Sequence, residues 1–163
     1  MPTAQRNASL DRTDRRILQE LQADGRLTNQ QLAERVALSP SPCLRRVRAL
    51  ERAGVIRGYA ALLEPRAVGL ELLAYVTVKL EKRGKMPVEQ FARAVESWPE
   101  VIACFSMTGD MDYLMRVQVE DLEHYSSFIM DRLLKQPGVI DIRTNFVLER
   151  IKETTALPLA HLA

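Results

Sequence analysis

The sequence predicts an α+β chain in two parts. An N-terminal helix-turn-helix domain of winged-helix-like character is followed by a C-terminal ferredoxin-like domain of order β-α-β-β-α-β. Three observations predict this. The first is charge. Residues 1–60 carry 11 Arg, no Lys and 6 acidic residues, a net +5, while residues 61–163 are net −3. The second is a run of three short capped helical patterns before Gly58. The third is a change to alternating, β-branched stretches after Gly69.

"LDRTDRRILQELQADGR" reads as the first helix. Asp11 is its N-cap, Asp14 sits in the first turn, and Ile17, Leu18 and Leu21 recur at helical spacing, with Gly25 as the stop. "LTNQQLAERVALS" starts a second helix, where Thr28 and Gln31 form a capping-box pattern and Leu32, Ala33 and Val36 share a face. The third helix follows a short turn. Ser41 is expected to cap it, Pro42 suits the first helical position, and Gly54 ends it. Three short helices with a tight second turn are helix-turn-helix architecture.

Phased at about 100° per residue, the third helix puts Cys43, Val47 and Leu50 on one face, with Leu44 at its edge. Arg45, Arg48 and Arg52 form a stripe opposite, and Arg46 lies at the far edge. A helix apolar inward and cationic outward suits a DNA major groove. Ser39, Ser41 and Pro42 stand at the end that would enter it. Arg45 and Arg46 are expected at bases or phosphates, and Arg48 and Arg52 at phosphates. The alternative is a solvated face. Glu51 is the only acidic residue from Ser39 to Arg57, so that face would have little salt-bridge lacing.

"VIRGYAALLEP" suits a short strand or wing leading into a linker punctuated by Pro65 and Gly69. "LLAYVTVKLEKRG" reads as a strand. "PVEQFARAVESWP" reads as a helix with Val88, Phe91, Ala92 and Val95 inward, opened by Pro87 and closed by Pro99. "VIACFSMTGDMDYLMRVQVE" is a hairpin turning at Gly109-Asp110. "DLEHYSSFIMDRLLKQPG" is a helix capped by Asp121, and "VIDIRTNFVLERIKE" is a last strand. Helices on one sheet face leave the other face open. Apolar residues among Tyr75 to Leu80 would want a second sheet there, so a homodimer is expected. The expected boundaries are 1–58 for the helix-turn-helix domain, 59–70 for the linker, 71–153 for the ferredoxin-like domain and 154–163 for a tail. Residues 1–9 and 155–163 are expected to be arm-like.

Composition excludes several classes. No apolar run approaches the length of a membrane span, and "MPTAQRNASLDRTDRR" has no signal-peptide core, so a cytoplasmic protein is expected. Cys43 and Cys104 offer neither a disulfide framework nor zinc spacing, and no metal or cofactor is expected. His124 and His161 are the only histidines, and no catalytic set accompanies them.

Four motifs in this order resemble the Lrp/AsnC family, the feast/famine transcriptional regulators: "LDRTDRRILQELQADGR", "LSPSPCLRRVRALERAGVIRGYAALLEP", "TGDMDYLMRV" and "QPGVIDIRT". The resemblance runs from about Leu10 to Glu153. It implies a DNA-binding regulator, not an enzyme, whose assembly or DNA affinity responds to an amino acid, leucine or another, bound where dimers meet. It further implies dimers that assemble into octamers. It places Thr108, Gly109, Asp110, Asp112 and Tyr113 at the ligand, with Ser106, Leu122, Asn145, Phe146 and Val147 as neighbours. A carboxylate such as Asp112 would take the ammonium, and turn N–H groups the carboxylate. Ordinary turn chemistry explains Gly-Asp equally well from the residues alone. An enzyme similar in architecture to the siroheme decarboxylases is the competing class. A stand-alone sensing domain is a third, but it would lack the helix-turn-helix.

Overall fold

The computed structural model describes residues 10–81 and 86–162; expectations for residues 1–9 lie outside the described residues. The chain divides into two compact units: residues up to Ala61 together with those from Lys152 onward, and Leu62–Ile151.

The first unit holds α1 (Arg12–Ala23), α2 (Asn29–Arg35) and α3 (Pro40–Arg52). The expected Asp11 N-cap and Thr28 capping box both form, and Asp14 makes the first a capping box as well. Asp11 accepts from the Asp14 N–H at 2.8 Å, and Thr28 accepts from the Gln31 N–H at 3.3 Å. Helix α1 stops at Asp24, one residue before the expected Gly25. Ile17, Leu18, Leu32, Ala33, Val36, Cys43, Val47 and Leu50 form the buried core.

The start of α3 corrects the expected register. Ser39 is the N-cap and Pro40 the first helical residue, so Ser41 and Pro42 lie inside the first turn. The first four helical N–H groups have no intrahelical acceptor, so both prolines fit. Asn29 Nδ2 donates to the Pro40 carbonyl at 2.8 Å, which ties the two helix starts together. Between α2 and α3, Ala37 takes a left-handed conformation (φ 58°), a strained choice for a residue with a Cβ.

The expected wing strand is absent among the described residues. Residues 57–61 form no ladder, and the first unit has no strand among its described residues to pair with them. The tail also departs from the arm-like expectation, since Leu159 packs against the helix-turn-helix core.

The second unit has the order β1 (Leu72–Leu80), α4 (Met86–Glu96), β2 (Val101–Ser106), β3 (Tyr113–Val119), α5 (Leu122–Phe128) and β4 (Val139–Phe146). A π-helical turn, Ile129–Leu133, extends α5. The antiparallel sheet runs β2-β3-β1-β4, the expected ferredoxin-like order. Ala74, Val76, Val78 and Leu80 join Met115, Val117 and Val119 in one core with Phe91, Val95, Trp98, Tyr125, Phe128 and Leu133.

Two packing expectations need correction. Val76, Val78 and Leu80 point into this core, so the opposite face carries Leu73, Tyr75, Thr77 and Lys79 and is mixed in character. On α4, Phe91 and Val95 are buried, while Val88 and Ala92 are exposed, because Trp98 beyond the helix completes the inward stripe. Helix α4 begins at Met86, one residue before the expected Pro87.

Candidate functional site

Helix α3 presents the first candidate surface. Arg45, Arg48 and Arg52 are exposed, and none has an ion-pair partner among the described residues. Arg52 Nε donates only to the Arg48 carbonyl, at 3.2 Å. Ser39 and Ser41 are exposed and Pro42 half-buried at the same helix start, where no acidic side chain stands.

Arg46 is placed differently. Its guanidinium bonds Asp11 Oδ2 at 2.7 Å and Asp14 Oδ1 at 2.8 Å. Each aspartate uses its other oxygen in the capping box of α1. Two ion pairs therefore lock α3 to the first turn of α1, whose capping box holds both carboxylates in place. The Asp14 N–H and the Arg46 cation lower the Asp11 pKa, and the two carboxylates raise that of Arg46. This role was not legible in the sequence, because helical phasing puts Arg46 near the cationic stripe and says nothing of α1.

The predicted ligand residues fall into two groups. Ser106, Thr108, Gly109, Asp110, Asp112 and Tyr113 lie together at the β2–β3 turn. The Met107 N–H donates to the Asp112 carbonyl at 2.8 Å and closes the loop. Gly109 has φ 119°, a conformation side chains rarely adopt, with open space where a Cβ would stand. The Asp112 carboxylate accepts from the Leu80 N–H at 2.8 Å, beside the β1–β4 irregularity at Lys79/Leu80. Asp110 is held by Lys79 at 2.7 Å and Arg143 at 3.3 Å. Motif reading missed Lys79 and Arg143 as partners of this turn, since no local pattern links them to it. The Tyr113 ring packs on Phe91, and burial raises its pKa.

Leu122, Asn145, Phe146 and Val147 lie toward the other end of the sheet. Tyr113 pairs with Val78, whereas Asn145 pairs with Tyr75 and Phe146 with Ala74. Three to four strand positions separate the rows, roughly 10 Å or more. Phe146 meets Tyr125 edge-on at 5.1 Å, and the Val147 N–H donates to the Leu73 carbonyl. Leu122 is exposed at the start of α5. Within one chain the two groups therefore stand in separate rows of the sheet.

Clefts lie elsewhere as well. One of about 560 Å³ runs between α5 and the edge strand β4, past Tyr125, Met130, Leu134 and Ile140, and includes none of the predicted ligand residues. Another of about 450 Å³ joins Val147 to Glu64, Arg66, Glu71 and Arg150. Among the described residues no cluster of His, Cys, Asp or Glu could hold a metal, and no helix is long and apolar enough to cross a membrane. His124 lies 3.4 Å from the buried Glu100, which Arg132 also meets at 2.7 Å. Burial raises the pKa of both cysteines, which disfavours the reactive thiolate.

Residues 10–57 match a family described as winged helix-turn-helix DNA-binding, and residues 73–157 match the Lrp/AsnC ligand binding domain. The chain belongs to the Lrp/AsnC family. It is a transcriptional regulator with a DNA-binding and a ligand-binding domain. The leucine-responsive regulatory proteins of Salmonella typhimurium and Escherichia coli K12 are each 46% identical to it over 148 residues, 91% of this chain and 90% of theirs. A transcriptional regulator from Neisseria meningitidis, solved as a complex with L-Met, is 53% identical with a TM-score of 0.92, covering 94% of this chain and 99% of that one. An AsnC family regulator from Agrobacterium tumefaciens is 38% identical with a TM-score of 0.88, over 94% and 99% of the two chains.

Proposed function

We propose that this Lrp/AsnC regulator reads duplex DNA with α3 and changes its assembly or DNA affinity when an amino acid binds the effector domain. The observation that carries the DNA half is the unpaired, outward stripe of Arg45, Arg48 and Arg52 on a helix whose other face is core. Ser39, Ser41 and Pro42 enter the major groove first. Phosphate contacts from the arginines supply affinity and fix the register, and base-edge contacts supply specificity. Arg46 serves this surface from behind, as the clamp between α3 and α1.

The ligand half rests on the β2–β3 turn. It sets anionic Asp110 and Asp112 beside cationic Lys79 and Arg143, and a zwitterion carries both of the charges that this cluster can answer. The Neisseria relative solved with L-Met favours an apolar amino acid such as methionine or leucine. The two groups of candidate residues are separated within one chain, which supports a site completed by a second protomer. A homodimer that assembles further, to an octamer, would bring Ser106–Tyr113 of one copy near Leu122 and Asn145–Val147 of another. The regulator works in the cytoplasm and has no catalytic role or resident cofactor.

A thermal-shift screen against the twenty amino acids tests the ligand half. A ligand at 100 times its dissociation constant adds about 2.7 kcal/mol, a rise of several degrees. L-methionine or L-leucine should give that rise, and Asp112→Ala should abolish it. No shift with any amino acid would refute the effector reading. Loss of selected duplexes from the protein on adding the same amino acid would link the two domains.

A further inference from the structure

The C-terminal tail makes contacts that neither the family matches nor the DNA-reading role accounts for. Gln22 on α1 uses both ends of its amide on one tail residue. Its Nε2 donates to the Leu157 carbonyl at 3.1 Å, and its Oε1 accepts from the Leu157 N–H at 2.6 Å. Arg15 donates to the Leu162 carbonyl at 2.9 Å. Arg15 and Gln22 are seven residues apart, two turns along the same stripe of α1. The tail therefore runs antiparallel to that stripe. Between the two ties, Leu159 packs on the core cluster, and the Leu162 N–H closes a turn to the Leu159 carbonyl at 3.1 Å.

The apolar fit continues around this segment. A cleft of about 450 Å³ lies under the tail, bounded by Leu10, Leu18 and Leu21 with Ile56, Tyr59 and Leu162. Residues 10–57 alone form a small domain, and chains of that length bury too little surface for a wide margin of stability. Both contacting side chains reach main-chain atoms of the tail, so the tie depends on where the tail lies and not only on its side chains.

We propose that residues 155–162 form a strap that completes the DNA-binding unit, and that DNA affinity depends on it. The strap bonds α1, which Asp11 and Asp14 in turn join to Arg46 of the reading helix. It also makes the ligand-binding unit an insertion, joined to the DNA-binding unit by chain at both of its ends. This inference rests on the reading that α3 binds DNA.

The test compares the full-length protein with a chain ending at residue 154 and with full-length Leu159→Asn. Hydrogen exchange is read over α1, and binding to a mixed-sequence duplex of about 30 base pairs is read by anisotropy. Both variants should exchange α1 amides faster and bind DNA about tenfold more weakly, as the competent population falls. A synthetic peptide of residues 155–163 added to the shortened chain should slow the exchange again. Trp98 fluorescence should stay unchanged, since the core of the second unit is untouched. Unchanged exchange in α1 overturns the strap. Faster exchange with unchanged DNA affinity overturns its role in binding. A full-length chain that binds no DNA would instead refute the reading of α3, while exchange would still report whether the strap exists.

Discussion

On α3, the outward arginines at 45, 48 and 52 have no counter-ion among the described residues. At the β2–β3 turn, the carboxylates of Asp110 and Asp112 are both already engaged, one by Lys79 and Arg143, the other by the Leu80 N–H. The two regions use their charges in opposite ways. An unpaired cationic face loses little when a phosphate arrives, because no internal bond must break. A self-paired cluster is stable when empty, and a ligand has to compete with its pairs or use their remaining valences. On the proposed reading, the DNA-binding face is complete in one chain, while the ligand site calls for rearrangement or a second copy.

Breaking the unpaired side should give the largest effect. Arg45→Ala with Arg48→Ala should weaken DNA binding on the order of ten- to a hundredfold. It should also flatten the slope of log affinity against log salt by nearly two. Melting temperature should stay put, because neither side chain packs in the core or pairs. Fluorescence anisotropy across a salt series checks both; an unchanged slope would show that these arginines do not reach phosphates.

The paired residues behind α3 predict a reversed sign. Asp14→Asn removes a negative charge near the DNA surface, so simple electrostatics predicts tighter binding. The Arg46 clamp predicts weaker binding and a lower melting temperature, because Asp14 is largely buried and bonds both the cap and the guanidinium. A loss of about 1–2 kcal/mol is expected from the cap and pair together. Calorimetry and DNA titration on the same preparation decide between the signs.

Much of the fold was legible because it depends on local rules. Capping boxes at Asp11 and Thr28, the turn at Gly109 and the period-two pattern of β1 are all written within a few residues. Other features depend on partners distant in sequence. The two Ser-Pro pairs offer equivalent helix starts, and contact with Asn29 accompanies the choice of the first. Arg46 looked like one more outward arginine until α1 supplied its two aspartates. The tail is weakly patterned and polar at its start, so nothing local marks it as a strap for α1. The turn segment was legible as a turn, but Lys79 and Arg143 reach it only through strand register.

The smallest effect should come from breaking a pair at the turn. Asp110 is exposed, so Asp110→Asn should barely move the melting temperature, since screening weakens such pairs. Lys79, then Arg143, lowers the Asp110 pKa below its ordinary 3.8. A carboxylate with a depressed folded pKa contributes its stability in full above that ordinary value. The contribution fades as pH falls below it. Wild type and Asp110→Asn should therefore have converging melting temperatures below about pH 3.8 and differ slightly above it. Asp14→Asn supplies the contrast at pH 7, where it should cost more, because it disturbs a cap hydrogen bond as well as an ion pair. If Asp110→Asn proves the costlier change at pH 7, the turn is a structural lock first, and the pairing that makes it stable when empty is stronger than its exposure allows.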